Sequence, residues 1–298
     1  MRTEFVAILG RANVGKSTLI NALVGEKIAI VSNNPQTTRN RIIGIYNEPD
    51  LQIVFIDTPG LHVPKNKLGE HMMSETNEAM DGIDAAVVVV DCKTPRSTEA
   101  NLLRRLNGAG VPVILVVNKI DLVRKDEIAR TLAAYADLAT YAAVVPISAL
   151  RQDGVKIVLD ELRAFAGEEG VQYYPDDIAT NQTVRQMASE IVREKILRHT
   201  YDEVPHGVAV EPIVFREREN RNGEPVTDIA VNIICERDAH KGMLIGKGGS
   251  LLKTMATEAR KDLEDLLGTK VNLQCFVKVR ENWRDNEKII TELHLYDE

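Results

Sequence analysis

Apolar residues recur along this chain in two rhythms, and the rhythms alternate. "EFVAILG", "LQIVFIDTPG", "DAAVVVVD" and "VPVILVVNK" are near-continuous apolar, β-branched runs, the composition of strands buried on both faces of a parallel sheet. Between them, "KSTLINALVG" spaces Leu19, Ile20, Leu23 and Val24 as one helix face and stops at Gly25, and "STEANLLRRLNGAG" repeats the helical spacing. "AAVVPIS" reads as a last strand and "VKIVLDELRAF" as a last helix. This alternation predicts an α/β domain with a doubly wound, mostly parallel sheet. Ligands of such sheets sit at the carboxyl ends of the strands.

The rhythm stops at "GEEGVQYYPDDIAT", residues 167–180, which is rich in Gly, acids and Tyr and has no period. It divides the chain into a first domain (1–168), a linker (169–180) and a smaller α+β domain with its tail (181–298). In the smaller domain, "TVRQMASEIVREKILRHTYDEVP" predicts a helix with Met187, Ile191, Ile196 and Leu197 on one face. "HGVAVEPIVFRE" and "PVTDIAVNIICE" predict strands joined by the turn "NRNGEP". "HKGMLIGKGGSLLKTMATEARKDLEDLLG" predicts helix, glycine loop and helix. "KVNLQCFVKV" alternates with period two, Val271, Leu273, Cys275, Val277 and Val279 inward. Trp283 and Tyr296 read as packing anchors of the tail.

Composition narrows the class. With 298 residues, 44% hydrophobic and 27% charged, the chain fits a soluble protein of two ordinary domains. Its longest apolar run, "AAVVVV" at 85–90, is far short of the roughly 18 residues of a membrane span. "MRTEFVAILG" is too short for a signal sequence. Three scattered cysteines, Cys92, Cys235 and Cys275, suggest neither a disulfide framework nor a zinc site. The expected location is a reducing cytoplasm. A net charge of −7 argues against nucleic acid only if charge is uniform. Between 240 and 261, five bases (Lys241, Lys247, Lys253, Arg260 and Lys261) stand against one acid, Glu258. A basic surface is therefore centred on the second glycine loop.

The first glycine loop, "GRANVGKS", follows an apolar strand and opens a helix, the context that Gly-x-x-x-x-Gly-Lys-Ser requires. Gly10 and Gly15 let backbone N–H groups converge on phosphates, with Asn13, Val14 and Thr18 completing the contact. Lys16 neutralises the β and γ phosphates, and Ser17 offers a hydroxyl to magnesium. Asp57 in "DTPG" is placed to hold the magnesium through water, and the Gly60 N–H to sense the γ phosphate. A threonine of "PQTTRNR" completes the magnesium shell, Thr38 being preferred and Thr37 the alternative. That loop is then a switch. "NKID" supplies Asn118, Lys119 and Asp121 at the end of a later strand. The Asp121 carboxylate can accept from both N1–H and the N2 amine of guanine, whereas adenine would leave it unpaired, a mismatch rejected by orders of magnitude. Ser148, Ala149 and Leu150 would close over the base with backbone N–H.

In this order and spacing, "GRANVGKST", "QTTR", "DTPGL", "NKID" and "SAL" resemble the translation-factor class of GTPases and, within it, the Era group. The resemblance implies GTP and GDP with Mg2+ as ligands, and Lys16, Thr38, Gly60 and Asn13 as the catalytic set. Leu61 stands where signalling GTPases carry a water-orienting glutamine. Asn13 matches an asparagine that in the related branch coordinates potassium, so K+ enters as an optional cofactor whose charge would do the work of an arginine finger. Ala12 departs from the group's usual proline and removes no functional group. His62, one residue beyond Leu61, reads as a solvated loop histidine, with contact to the switch as the alternative.

The second loop, "IGKGG", lacks the spacer and the Ser/Thr of a phosphate loop. It fits Ile-Gly-x-x-Gly-x-x-Leu between two helices and resembles the KH motif, which clamps about four nucleotides of single strand. The order helix, strand, strand, helix, helix, strand matches the type II, bacterial form of that domain. Ile245, Gly246, Lys247, Gly248 and Gly249, with Lys241 and Lys253, are the expected RNA contacts. The resemblance implies the 3′ end of small-subunit ribosomal RNA as target and the 30S particle in assembly as setting. It also leaves room for peripheral contact with the inner face of the cell membrane. DNA and an obligate oligomer are not expected. Two other readings remain: a non-catalytic, GTP-gated RNA-binding module, and a GTPase acting on a protein or membrane surface.

Overall fold

The computed structural model describes residues 1–167 and 170–293; Tyr296 lies outside them. The chain forms two compact units, one of 1–31, 38–65 and 69–181, the other of 32–37, 66–68 and the chain from Gln182 onward.

The first unit contains β1 (Arg2–Gly10), α1 (Lys16–Val24), β2 (Ile42–Glu48), β3 (Leu51–Asp57), most of α2 (Lys67–Glu78), β4 (Ala85–Asp91), α3 (Ser97–Gly108), β5 (Val113–Asn118), α4 (Lys125–Ala136), β6 (Ala143–Pro146) and α5 (Val155–Leu162). The strand order is β2-β3-β1-β4-β5-β6, parallel throughout except for β2 against β3. Alternation along β1 explains the unbroken apolar run. Val6 and Ile8 join Leu19, Ile20, Leu23, Val158 and Leu162 on one face. Ala7 and Leu9 join Leu102, Leu103, Leu106 and Tyr135 on the other. Each such buried aliphatic side chain contributes about 1.5–3 kcal/mol, so the sheet needs no polar support at its centre.

Two features were not visible in the pattern. β2 mixes polar and apolar residues because it is an edge strand covered on one side. The supposed linker also differs from expectation: its described residues dock on the first unit. Ile45 N donates to Ala179 O at 2.8 Å. The buried Gln52 amide donates to Tyr174 O at 2.8 Å and accepts from Tyr173 N at 2.9 Å. Tyr173 stands edge-on to Phe5 with ring centroids 5.0 Å apart. A short backbone bridge and a few single side chains, not a repeating face, make this attachment, which is why composition read it as a linker.

The second unit contains α6 (Val184–His199), β7 (Ala209–Glu219), β8 (Pro225–Cys235), α7 (Asp238–Ile245), α8 (Ser250–Leu267), β9 (Lys270–Val279) and α9 (Glu287–Glu292). β7 pairs antiparallel with β8, and β8 parallel with β9. Val231, Ile233, Leu244, Met255, Ala259 and Leu263 form the core with Ile191, Val192 and Ile196 of α6. Met187, expected on that face, is only half-buried. Glu194 and Lys195 are buried but paired: Lys195 reaches Asp262 at 2.5 Å, and Arg198 reaches Glu194 at 3.0 Å. Trp283 is fully buried and donates to Gly207 O at 2.9 Å, an anchor that frees a bulky ring from leaving a buried N–H unpaired.

One buried group runs against the fold. Glu4 of β1 is fully buried, and neither carboxylate oxygen has a hydrogen-bond partner. Burial, and secondly the charge of Asp84, push its pKa from 4.5 up to about 8. Between these values the folded state binds the extra proton, so stability falls as pH rises through that window. Urea denaturation should show a decline approaching 1.4 kcal/mol per pH unit from this group. Glu4→Gln should remove that decline, and an unchanged slope would refute the assignment.

Candidate functional site

The phosphate loop joins β1 to α1 at the carboxyl edge of the sheet. Gly15 adopts φ +100°, and a Cβ there would lie 2.3 Å from Asn118 Nδ2, so only glycine fits this crossing. Asn13 sits exposed at the loop's tip with φ +65°. Lys16 is buried, and its Nζ donates to Gly10 O at 3.3 Å and Arg11 O at 3.2 Å. Burial lowers its pKa, partly offset by Asp57, so an anion brought to this ammonium is strongly favoured.

Ser17 Oγ, Thr38 Oγ1 and Asp57 converge. The two hydroxyls are 2.8 Å apart, and Asp57 Oδ2 accepts from Ser17 at 3.0 Å and from Thr38 at 3.3 Å. Thr37, the alternative, instead turns to Ser32 Oγ at 2.7 Å and Asn34 O at 2.7 Å. Asp57 is fully buried, and burial pushes its pKa up to about 6 against the opposing pull of Lys16, Ser17, Thr38 and the Thr58 N–H. Its Oδ1 has no hydrogen-bond partner. An orphaned carboxylate oxygen beside two hydroxyls is an all-oxygen set with one charge, which suits Mg2+ completed by phosphate oxygens and water. Among the described residues no cluster of three His, Cys, Asp or Glu side chains offers a rival metal site.

The base end is tied together by one side chain. Asn118, at the end of β5, donates through Nδ2 to Val14 O at 2.9 Å, while its Oδ1 accepts from Lys119 N at 2.8 Å and Ala149 N at 3.0 Å. Lys119 Nζ reaches Asn13 O at 2.5 Å. Asp121 Oδ1 accepts from Ser148 Oγ at 2.7 Å, and Arg151 lies 3.7 Å from its other oxygen. The N–H groups of Ser148 and Ala149 are thus differently used from the expectation: Ser148 N donates to Asp153 O and Ala149 N to Asn118, and Leu150 is exposed. Motif spacing gives no sign of the bonds by which this loop holds itself.

Gly60 rests on the phosphate loop, and Leu61 N donates to Gly10 O at 3.0 Å. His62 is not a solvated side chain. Its Nδ1 lies 2.8 Å from Gly60 O, and its Nε2 is shielded from solvent. A histidine two residues from its acceptor gives no sequence signal.

In the second unit, Ile245 ends α7 and Ser250 begins α8. Gly246 (φ +71°), Gly248 (φ +59°) and Gly249 (φ +80°) shape the turn between them. Around the Cβ positions of Gly248 and Gly249 nothing lies within 4 Å. Lys247 and Lys253 are exposed, while Lys241 and Ile245 are half-buried. Backbone without side-chain cover, a lysine and a helix N-terminus meet there, the combination that takes up a phosphodiester chain.

Comparison with known proteins falls on both units. A family model described as "50S ribosome-binding GTPase" matches residues 5–119 and one described as "KH domain" matches 203–284. GTPase Era of Geobacter sp. strain M21 is 46% identical, covering 98% of this chain and 97% of that protein. GTPase Era of Ruminiclostridium cellulolyticum is 41% identical over the same shares. The chain belongs to the Era family of GTPases. Two solved Era structures are similar, each at 32% identity and covering 99% of both chains. One is Era in complex with MgGDPNP and nucleotides 1506–1542 of 16S ribosomal RNA, with a TM-score of 0.90. The other is a point variant of Aquifex aeolicus Era bound to GDP·AlF4−, with a TM-score of 0.93. As a member of the Era family, the chain is a GTPase. Asp121→Asn should exchange an acceptor for a donor and cost GTP about 100-fold or more in affinity while xanthine nucleotides gain. Competition binding of the two nucleotides reads this directly, and unchanged GTP affinity would remove Asp121 from the base site.

Proposed function

We propose that this Era-family chain is a GTP-driven switch that grips the 3′ end of small-subunit ribosomal RNA during 30S assembly. The observation that carries the RNA half is the open, lysine-bearing loop of residues 246–249 between α7 and α8. The similarity to an Era structure holding 16S rRNA supports the choice of target. A protein or membrane-surface partner has no comparable built loop in its favour, and among the described residues no helix is long and apolar enough to cross a membrane. The working unit in this proposal is a single chain, with domains 1–168 and 181–298 dividing the labour.

For hydrolysis, the proposal assigns the residues as follows. The N–H groups of 10–17 cradle the phosphates, and Lys16 exchanges its two carbonyl partners for phosphate oxygens. Ser17, Thr38 and Asp57 hold the magnesium, which supplies charge neutralisation when bound. The Gly60 N–H marks the γ phosphate, and Thr38 joins the set only while that phosphate is present, which makes 32–41 the switch. Asn118, Lys119 and Asp121, with 148–150, hold the guanine. Leu61 has no atom able to orient water, so unassisted turnover is expected on the order of 10⁻⁴–10⁻² s⁻¹. Single-turnover assays in potassium and in sodium test both this and a contribution from K+ at Asn13. A much faster rate without RNA or potassium would count against the Leu61 argument.

The RNA assignment is tested by crosslinking in cells and sequencing the bound RNA, for the native chain and a Lys247→Asp, Gly248→Asp double variant. Reads at the 3′ end of small-subunit rRNA that vanish in the variant are the expected result. Reads that persist would move RNA binding to another surface.

A further inference from the structure

The phosphate-loop pattern leaves its second position open to any residue, yet here Arg11 carries an enclosed ion-pair network. Its Nε donates to Glu99 Oε1 at 2.6 Å, and Nη2 to Asp91 Oδ1 at 3.0 Å. The Glu99 side chain is fully buried, and those of Arg11 and Asp91 nearly so. Glu99 also accepts from Arg96 N at 2.8 Å, fixing the first turn of α3, and Asp91 ends β4 with Lys93 at 2.9 Å from its other oxygen. Arg11 is therefore fixed at both ends of its fork, to a helix start and to a strand end.

What that fork holds is backbone. The Arg11 carbonyl accepts from Lys16 Nζ, and Arg11 is bridged to Leu61. A Cβ on Gly60 would fall 2.6 Å from Ala12 N, so the two main chains touch. The peptide that marks the γ phosphate is thus seated directly on residues 10–12. We infer that Arg11, clamped by Glu99 and Asp91, is a positioning residue for GTP hydrolysis: it fixes the seat on which Gly60 and Leu61 lie. With leucine at 61 no side chain can correct a misplaced backbone, so the geometry of this seat weighs directly on the rate. The inference rests on the GTPase reading above. It goes beyond that reading, since the Arg11 side chain, turned to Glu99 and Asp91, contacts neither phosphate nor base in this scheme.

The test combines single-turnover GTP hydrolysis with equilibrium binding of fluorescent GDP for the wild type, Arg11→Met, Arg11→Lys, Glu99→Gln and the Arg11→Met, Glu99→Gln double variant. GDP lacks the γ phosphate and reports the loop alone, so intact GDP affinity also certifies a folded site. Arg11→Met should slow hydrolysis by about 10- to 100-fold, with GDP affinity held within about threefold. Arg11→Lys should recover part of the rate. The double variant should be no slower than the worse single variant, since both break one clamp. Hydrolysis that is unchanged, or that falls in step with GDP affinity, would overturn the inference by making Arg11 inert or merely structural. A wild-type chain that binds GDP but does not hydrolyse GTP would overturn the GTPase reading and the clamp together.

Discussion

The structure of the nucleotide site hangs on a shortage of space behind the phosphate loop. A loop that wraps a polyanion must turn its N–H groups to one side, so its carbonyls must find partners on the other. Lys16, Lys119 and Leu61 N take three of them, and Asn118 takes a fourth: its one amide binds Val14 O and the N–H groups of Lys119 and Ala149. Because that amide packs against Gly15, no side chain can stand at that position. The end of β5 and the turn at 148–150 are therefore referenced to the same group that shapes the loop. The parallel sheet supplies the alignment, since β1, β3 and β5 all end at this edge.

A second consequence is electrostatic. Lys16 and Asp57 are both buried, and burial pushes each towards its neutral form. Such a pair is costly to keep dry and charged, and a ligand that brings anionic oxygens and a divalent cation relieves both at once. The fully buried Glu4 has no such relief, which shows that desolvation alone does not make a functional group; converging partners do.

Much of this was legible in the sequence, and the reasons are specific. The continuous runs around Val6–Leu9 and Val87–Val90 are strands because both sheet faces are covered, so the pattern fixed them without ambiguity. The positions of Lys16, Ser17, Asp57, Asn118 and Asp121 follow from short motifs whose spacing is dictated by a strand–loop–helix geometry. Legibility failed where single long-range bonds decide the outcome. Gln52 fastening Tyr173 and Tyr174, His62 against Gly60 O, and Ser148 turned to Asp121 leave no periodic trace. The edge strand β2 was missed because it mixes polar and apolar residues without a clean period.

The parallel pairing of β8 with β9 has a consequence for the order of events during synthesis. The glycine loop of residues 246–249 lies on the crossover between these strands, and the pairing joins residues some 44 positions apart, as in Val226 with Lys270. A nascent chain that has emerged only as far as α8 has both helices of the loop but not the strand that closes the sheet beneath them. The elements of the nucleotide site, by contrast, are all in place by α5. Since domains tend to form as units from the N-terminus, the chain order completes the sheet of the nucleotide site before the sheet beneath the second loop.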